Sequence, residues 1–486
     1  MSSRSDCSTS STDESTEWQL LDDPADFESG VGPSDRLSSH DLDTAPLLTR
    51  DAFNIITTHS DYATQYGVLG RTLSIYNKSA AETLTDERLY INTNAPFSAI
   101  VCGVQGSGKS HTVSTILENM LIPNFSPIGT LTKALCGLVL HFGEGGPGSH
   151  PSEAAWLSNS ISSHVKAPPV RVFVSHSSLS TMRRVYAPLG NKVQVEPLYF
   201  KQSELDAAAF LSMMAVGSSD SAPLYMQIIL SILRTLGENY TYKAFMAQLE
   251  LSKKIFNPAQ LSGLEQRMSL LTSFLDPAPV ASQKNCLPRF APGQLTIIDL
   301  SDPFLDAASA CGLFEIILRL FVRADVDTGK VLVVDEAHKY LSASRGSSGL
   351  TKSLLALIRQ QRHLAMRVII STQEPTVVPP VLLDLCSIAI LHRFSSPSWW
   401  QHLINHVSAD FSDSDAFDKV IRLQTGQAIV LAPSALGIFK FAKGTDNNIQ
   451  IHGSEVVAHF GRRYLVMKTR RRITADGGAS VLVLKP

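Results

Sequence analysis

The sequence predicts an α/β protein with a mainly parallel central sheet, a helical insertion and a disordered N-terminal tail. Three observations predict it. Strand-like runs alternate with segments of helical periodicity. Those runs are apolar almost throughout, as in strands covered on both faces. One of them, at 97–102, opens into the turn Gly103-Val-Gln-Gly-Ser-Gly-Lys109-Ser110 and then a helix, the G-x4-G-K-[ST] phosphate-loop pattern in its proper strand–turn–helix context.

Residues 1–50 are rich in Ser, Thr and Asp and hold eleven acidic residues against three Arg. They carry too few apolar side chains to offset the entropy of ordering, so this stretch reads as a disordered acidic tail, with order starting near residue 51. Within it, Trp18-Gln-Leu-Leu21 is a candidate short partner-binding motif. The helix after the turn, 111–120, places Val113, Ile116, Leu117 and Met120 on one apolar side. Further strands are predicted at 135–142, 170–175 and 192–198, each separated by enough chain for a crossover. From about 202 to 285 the periodicity turns helical, notably over 223–236 and 242–255, with Pro223 suited to a first turn. Strand character resumes at 295–300, followed by a helix over 307–323, a strand at 330–335, a helix over 350–363 and strands at 367–371 and 387–391. No internal repeat is present.

At 486 residues the chain exceeds the size at which one core usually stops growing, which suits a domain carrying an insertion and a tail. The net charge is −2, and the acidic tail leaves the remainder at about +6, a mildly basic balance that permits nucleic acid without requiring it. Six scattered cysteines show no metal-ligand spacing and read as free thiols of a reducing compartment. No apolar run approaches the ~18 residues of a membrane span, and the N-terminus lacks the order of a secretory signal. The expectation is an intracellular soluble protein of cytoplasm or nucleus, with no membrane partner.

The turn at 103 implies a nucleoside triphosphate. Gly103, Gly106 and Gly108 let backbone N–H groups curl around phosphates, and the helix adds the positive end of its dipole. Gln105, Ser107, Lys109, Ser110 and His111 complete the candidate contacts, Lys109 neutralising phosphate charge and the Ser110 hydroxyl taking one position on Mg²⁺. Val331-Leu-Val-Val-Asp335-Glu336 is the expected partner: a buried strand from whose end Asp335 would hold Mg²⁺ and Glu336 would polarise the attacking water. The lysine turn and the paired acids are expected on neighbouring strands, meeting around one magnesium-triphosphate. Asp335-Glu336-Ala337-His338 invites a helicase reading, but more than 200 residues separate Lys109 from Asp335 and no second Arg-rich nucleotide clamp follows. His338 is left with packing or relaying position from Glu336. Thr372 and Gln373 end the strand at 367–371, where an amide can orient water or report nucleotide state. Arg359 and Arg362 share a helix face and have two readings: a solvated helix end favoured by the helix dipole, or an arginine finger for a neighbouring subunit's site.

Together these motifs resemble the HerA–FtsK superfamily of P-loop motor ATPases, HerA-like members most of all. The resemblance rests on the 103–110 loop, on Pro292-Gly-Gln-Leu-Thr-Ile-Ile-Asp-Leu-Ser301 and on Val333-Val-Asp-Glu-Ala-His-Lys-Tyr-Leu341. It also rests on the run from Arg359 to Gln373 with the following Pro379-Pro-Val-Leu-Leu. It covers most of residues 90–440 and implies a RecA-like ATPase core over 51–486, ATP with Mg²⁺, and a homo-oligomer, usually a hexameric ring that moves DNA. Carried over, Gln373 senses the γ-phosphate and Arg362 is the better match to the family's helix Arg. The chain departs from the pattern in four places: too few residues precede the loop for an N-terminal barrel, no C-terminal winged helix is evident, His141-Phe-Gly-Glu144 lacks the expected preceding Asp, and the 202–285 insertion has no counterpart. The competing expectations are an ATP-driven switch whose tail and insertion recruit proteins, and a degenerate ATP-binding scaffold. The basic segment at about 460–475 reads as a DNA-phosphate contact, a solvated edge, or a contact with the next subunit's nucleotide.

Overall fold

The computed structural model describes residues 37–478 except 38, 60–64, 78–79, 83, 215–223, 277–287, 342–348, 408, 410–412, 441–449 and 452–454. The Trp18–Leu21 motif and most of the acidic tail lie outside the described residues, as does Pro223. Among those described, eighteen strands join one hydrogen-bonded sheet. In chain order they are β1 (Leu47–Thr49), β2 (Tyr66–Asn77), β3 (Ala80–Glu82), β4 (Arg88–Asn92), β5 (Ser98–Cys102), β6 (Gly129–Thr130), β7 (Cys136–His141), β8 (Val170–Val174) and β9 (Val193–Pro197). There follow β10 (Leu295–Asp299), β11 (Lys330–Val334), β12 (Met366–Thr372), β13 (Ile388–His392), β14 (Gln427–Leu431), β15 (Leu436–Lys440), β16 (Gln450–Ile451), β17 (Glu455–His459) and β18 (Tyr464–Thr469).

The centre is a parallel sheet in the spatial order β9-β8-β10-β7-β11-β12-β5-β13. Strands β5, β8, β10, β11, β12 and β13 are buried along their whole length. Their side chains alternate between two apolar clusters, one on each face: Ile100 and Cys102 point to one, Ala99 and Val101 to the other. That double burial is why these strands read as continuous apolar runs. With the glycine loop at the carboxyl end of β5, this is the RecA-like P-loop arrangement.

The four helices of the 202–285 stretch, Ala207–Met214, Leu224–Leu236, Tyr242–Ser252 and Pro258–Ser273, share the core of the sheet face on which Ile100 lies, through Phe210, Phe245, Leu249, Leu264 and Leu271. The stretch leaves and returns at one point: Phe200 N donates to Phe274 O at 2.7 Å and Asp276 N to Phe200 O at 3.0 Å. A short helix cap starts two of these helices, Thr241 at one and Asn257 followed by Pro258 at the other.

Two expectations change. Residues 39–50 were placed in the tail, yet Ser39–Thr44 is helical and β1 pairs antiparallel with β4. Leu47 and Leu48 are buried in the β1 strand; two leucines behind Pro46 are enough to pair a strand, although the acidic composition around them averages them away. Part of the basic segment is also turned inward, with Arg470 and Arg472 held within the chain while Arg462, Lys468 and Arg471 are exposed. After β18 the chain runs as a strap, 470–478, along the helix Lys109–Leu121. Arg470 donates to Glu118 Oε2 at 2.7 Å and Asn119 Oδ1 at 2.9 Å. Arg472 donates to Glu153 Oε1 at 2.6 Å. The fully buried Glu118 accepts from Ile473 N, Thr474 N and the Thr474 hydroxyl through Oε1, at 3.0, 2.9 and 2.6 Å.

Removing one partner of such a buried set leaves the others desolvated and unpaired. Glu118→Ala is therefore expected to lower unfolding free energy by about 3–5 kcal/mol in a denaturant titration, with Glu118→Gln costing less because it keeps an acceptor. A loss under about 0.5 kcal/mol, the range of an ordinary surface change, would show that the strap is not held this way.

Candidate functional site

The loop after β5 is shaped by three glycines with φ of 150° (Gly103), 73° (Gly106) and 111° (Gly108). Gly103 and Gly108 also have no room for a side chain. A Cβ on Gly103 would lie 2.7 Å from His392 Cβ, and one on Gly108 would lie 2.9 Å from Gly426 Cα. The helix Lys109–Leu121 starts at Gly108 with no side-chain cap, so its first-turn amides keep their affinity for an anion.

Beneath the loop lies a hydrogen-bonded chain that sequence reasoning missed. His392, at the end of β13 and fully buried, has Nδ1 2.9 Å from Gln427 O and Nε2 3.0 Å from Thr112 Oγ1. A carbonyl only accepts, so Nδ1 carries the proton and Nε2 accepts from Thr112, whose oxygen in turn accepts from Thr469 Oγ1 at 2.8 Å. Burial pushes the imidazole down to about 4, keeping it neutral. The loop is tied from the side as well: Val104 N donates to Arg393 O and Gly426 N to Ser107 O, both at 3.0 Å.

Lys109 is 5% exposed. Its ammonium donates to Val104 O at 2.9 Å. Burial pulls it below the usual lysine range, opposed by the charges of Glu336 and Asp335. The loop and the acid pair therefore converge, but not on neighbouring strands as expected: β12 runs between β5 and β11. A gap of one strand sets β5 and β11 about 9–10 Å apart, a span that suits a lysine on one side and carboxylates on the other with phosphates between.

Asp335 leaves the end of β11. Burial works against its charge, yet His141 Nδ1 at 3.0 Å and the Ser371 hydroxyl hold its carboxyl below the usual range. His141 ends β7, the place where the sequence departs from the expected acid. Burial alone would lower it, but Asp299 and Asp335 raise it to about 9. Asp299, 1% exposed, accepts from Tyr186 Oη at 2.6 Å and from Ser301 N at 3.1 Å.

Glu336 adopts φ 51°, a left-handed conformation uncommon outside glycine, which turns its carboxylate from the strand. Both oxygens accept from Gln373 Nε2 at 3.0 Å. His338 completes the group: Nδ1 accepts from Gln373 N at 3.4 Å and Nε2 stands 3.5 Å from Glu336 Oε2. Burial lowers the His338 pKa, with Glu336 opposing.

Gly103, Gln105, Gly106, Ser107, Gly108, Lys109, Ser110, Asp335, Glu336 and Gln373 thus all lie at the carboxyl ends of adjacent strands, where α/β sheets bind ligands. His111 is turned to the strap, its Nε2 2.8 Å from Arg470 O and Nδ1 3.3 Å from Asp476 Oδ2. Arg359 and Arg362 are not brought to the site. They are exposed just before β12, at the opposite end of a seven-residue strand about 23 Å long. The buttress formed by His392, Thr112, Gly426 and Thr469 had no sequence signal except the glycine and the strand-end histidine, because its partners are 280 and 357 residues apart in the chain.

The donors present fit magnesium. Ser110 Oγ has no hydrogen-bond partner among the described residues, and Asp335, its carboxyl held below the usual range, ends β11 across the intervening β12. No cluster of three or more His, Cys, Asp or Glu forms a metal cage among the described residues.

No protein-family model and no curated protein matches the chain. Solved structures do. The genome packaging NTPase B204 from Sulfolobus turreted icosahedral virus 2, in complex with ATP-gammaS, is 10% identical, with 69% of this chain and 91% of that one covered and a TM-score of 0.29. VirB4 of Thermoanaerobacter pseudethanolicus is 13% identical over 75% and 93%, TM-score 0.41. The bacterial conjugative coupling protein TrwBdeltaN70 is 11% identical over 69% and 81%, TM-score 0.39. These neighbours are HerA–FtsK-type P-loop ATPases, and identities this low confine the likeness to the fold. No helix among the described residues is long and apolar enough to cross a membrane.

Two outcomes are expected. Gly108→Ala should weaken binding of a fluorescent nucleotide more than about 100-fold, because an L side chain is strained at that φ and collides with Gly426; retained binding would show that the loop can move aside. The His141–Asp335 pair should also shape stability against pH. A histidine raised to about 9 contributes stability that is full below its unfolded value and lost as pH rises through about 9. A depressed carboxyl contributes stability present above its unfolded value and lost as pH falls through its folded one. Unfolding free energy should decline from about pH 7 to 10, and His141→Asn should flatten that limb; identical slopes would remove the pair as the cause.

Proposed function

We propose that the chain binds and hydrolyses ATP with Mg²⁺ at the loop of β5, and that it does so as a ring-forming motor acting on DNA. One observation carries the hydrolytic reading: Lys109, Asp335, Glu336 and Gln373, from three different strand ends, occupy one site whose charges act on one another. The loop amides and Lys109 bind the phosphates, and Ser110 and Asp335 would hold the cation, which when bound supplies neutralisation of phosphate charge. Glu336 accepts the proton of the attacking water. Gln373, in contact with Glu336, orients that carboxylate and exchanges its amide for the terminal phosphate when nucleotide enters.

The ring is supported by the placement of two arginines. Arg359 and Arg362 stand exposed at the far end of β12 and belong to a nucleotide site only when another copy presents it. The family resemblance of the motifs adds the hexameric ring and the DNA substrate. A second reading has a specific observation in its favour. Arg470 and Arg472, two of the basic segment's five arginines, are committed to ion pairs inside the chain, which removes them from a DNA surface and favours an ATP-dependent switch that recruits protein partners.

Glu336→Gln is expected to lower ATP turnover by at least about 10³-fold while keeping nucleotide affinity within about threefold; unchanged turnover removes Glu336 from its role. Native mass measurement with an ATP analogue, followed by turnover with and without duplex DNA, separates the two readings. A nucleotide-dependent ring stimulated by DNA is expected, and a ring indifferent to DNA leaves the switch.

A further inference from the structure

Beside the phosphate loop stands a cation for which the sequence motifs leave no role. Arg393 directly follows β13, and its carbonyl holds the N–H of Val104, the first residue of the loop after Gly103, at 3.0 Å. Its neighbours are both sunk in the protein: His392 is 0% and Phe394 1% exposed. The backbone of Arg393 is therefore fixed at the rim of the loop, while its side chain is on the solvent side. Among the described residues its guanidinium makes no hydrogen bond, ion pair or ring contact. The arginines of the strap beside the loop's helix do: Arg470 is held by Glu118 and Arg472 by Glu153.

The position along the loop identifies what such a cation would meet. Lys109 Nζ rests on Val104 O, and a phosphate-loop lysine serves the β- and γ-phosphates. The Val104 end of the loop is thus the terminal-phosphate end, and the His111 end, at the start of the helix, is the α-phosphate end. Arg393 adjoins the former. An arginine side chain carries five donors on a long stem and pairs with phosphate oxygens two at a time.

We propose that Arg393 is a further catalytic residue, a cation supplied by the chain's own sheet that contacts the terminal phosphate of the bound triphosphate. This rests on the reading of the β5 loop as the ATP site. It divides the arginines by origin: Arg393 acts within its own chain, Arg359 and Arg362 on a neighbour's site. A contact to the γ-phosphate distinguishes triphosphate from diphosphate, which a contact elsewhere on the nucleotide does not.

The test measures binding of ATPγS and of ADP to the full-length chain, with Arg393→Ala, Arg393→Lys and Lys109→Ala beside the native protein. Arg393→Ala is expected to weaken ATPγS about 10–100-fold, the usual worth of a charge-assisted hydrogen bond, while ADP changes less than about threefold. Arg393→Lys should fall between, since it keeps the charge and loses the fork. Equal losses for both nucleotides, or no loss for either, overturn the proposal. Lys109→Ala tells that failure from failure of the underlying reading: if Lys109→Ala also leaves both affinities intact, the loop is not the nucleotide site at all. Circular dichroism of each variant confirms that the chain is folded, and Arg393→Lys remains decisive should Arg393→Ala prove insoluble.

Discussion

The site depends on a close approach of two glycines. Gly108, at φ 111°, ends the phosphate loop, and Gly426, at φ 79°, faces it so closely that a methyl group on Gly108 would sit 2.9 Å from the Gly426 Cα. Gly426 donates to Ser107 O and accepts from Thr469 N, at 3.0 Å each. Through that one turn the C-terminal strands β14 and β18 become part of the phosphate cradle. The His392–Thr112–Thr469 chain does the same from below with side chains. A phosphate loop is often pictured as a local device, a strand and a helix with glycines between. In this protein its curvature is imposed by residues about 280 to 360 positions away, and a side chain at Gly108 would collide with Gly426, whereas at Gly426 a Cβ has room and the cost is its φ of 79°.

The second constraint is the order of the strands. With β12 between β5 and β11, the acids stand across a gap from the lysine instead of beside it. A gap of that size has room for a phosphate chain, with the end of β12 between its two sides. Gln373 occupies that strand end, and its amide is already on Glu336. An amide can face a carboxylate or a phosphate with the same nitrogen but not both at full strength, so the arrangement couples Glu336 to the occupant of the loop by simple competition.

The parallel core was legible in the sequence because its strands are buried on both faces and its helices are amphipathic; the helix Ala307–Arg323 coincides with the periodicity to the residue. The loop, the acid pair and Gln373 were legible because each ends such a strand. Three things were not. The antiparallel flank of β14, β18, β2 and β4 contains a long strand, β2, whose residues alternate irregularly between buried and half-buried, so no single period marks it. The start of order was hidden by acidic composition around two buried leucines. The charge of the basic segment was misleading, since a run of arginines looks the same in sequence whether it faces phosphate or a buried Glu118. Contacts made across hundreds of residues, such as His392 with Thr112, leave no local pattern.

His141 shows how one departure from a motif alters the chemistry around it. Where the resemblance leads one to expect an acid at the end of β7, this chain has a base between two buried carboxylates, Asp335 and Asp299. Two carboxylates and a further acid would repel one another in a site of low dielectric and drive one of them neutral. With His141 there, the Asp335 carboxyl is held below its usual range, and Asp299 accepts from Tyr186 and Ser301. The same pattern recurs at each charge of the site: Lys109 on the Val104 carbonyl, Glu336 on the Gln373 amide, Asp335 on the His141 ring. Each group therefore has an internal partner with which an incoming phosphate or cation must compete. Binding is then a set of exchanges, and its strength is the difference between two paired states, not the sum of new contacts. A ligand offering only some of those replacements would leave the remaining internal pairs intact, the Asp335–His141 pair among them.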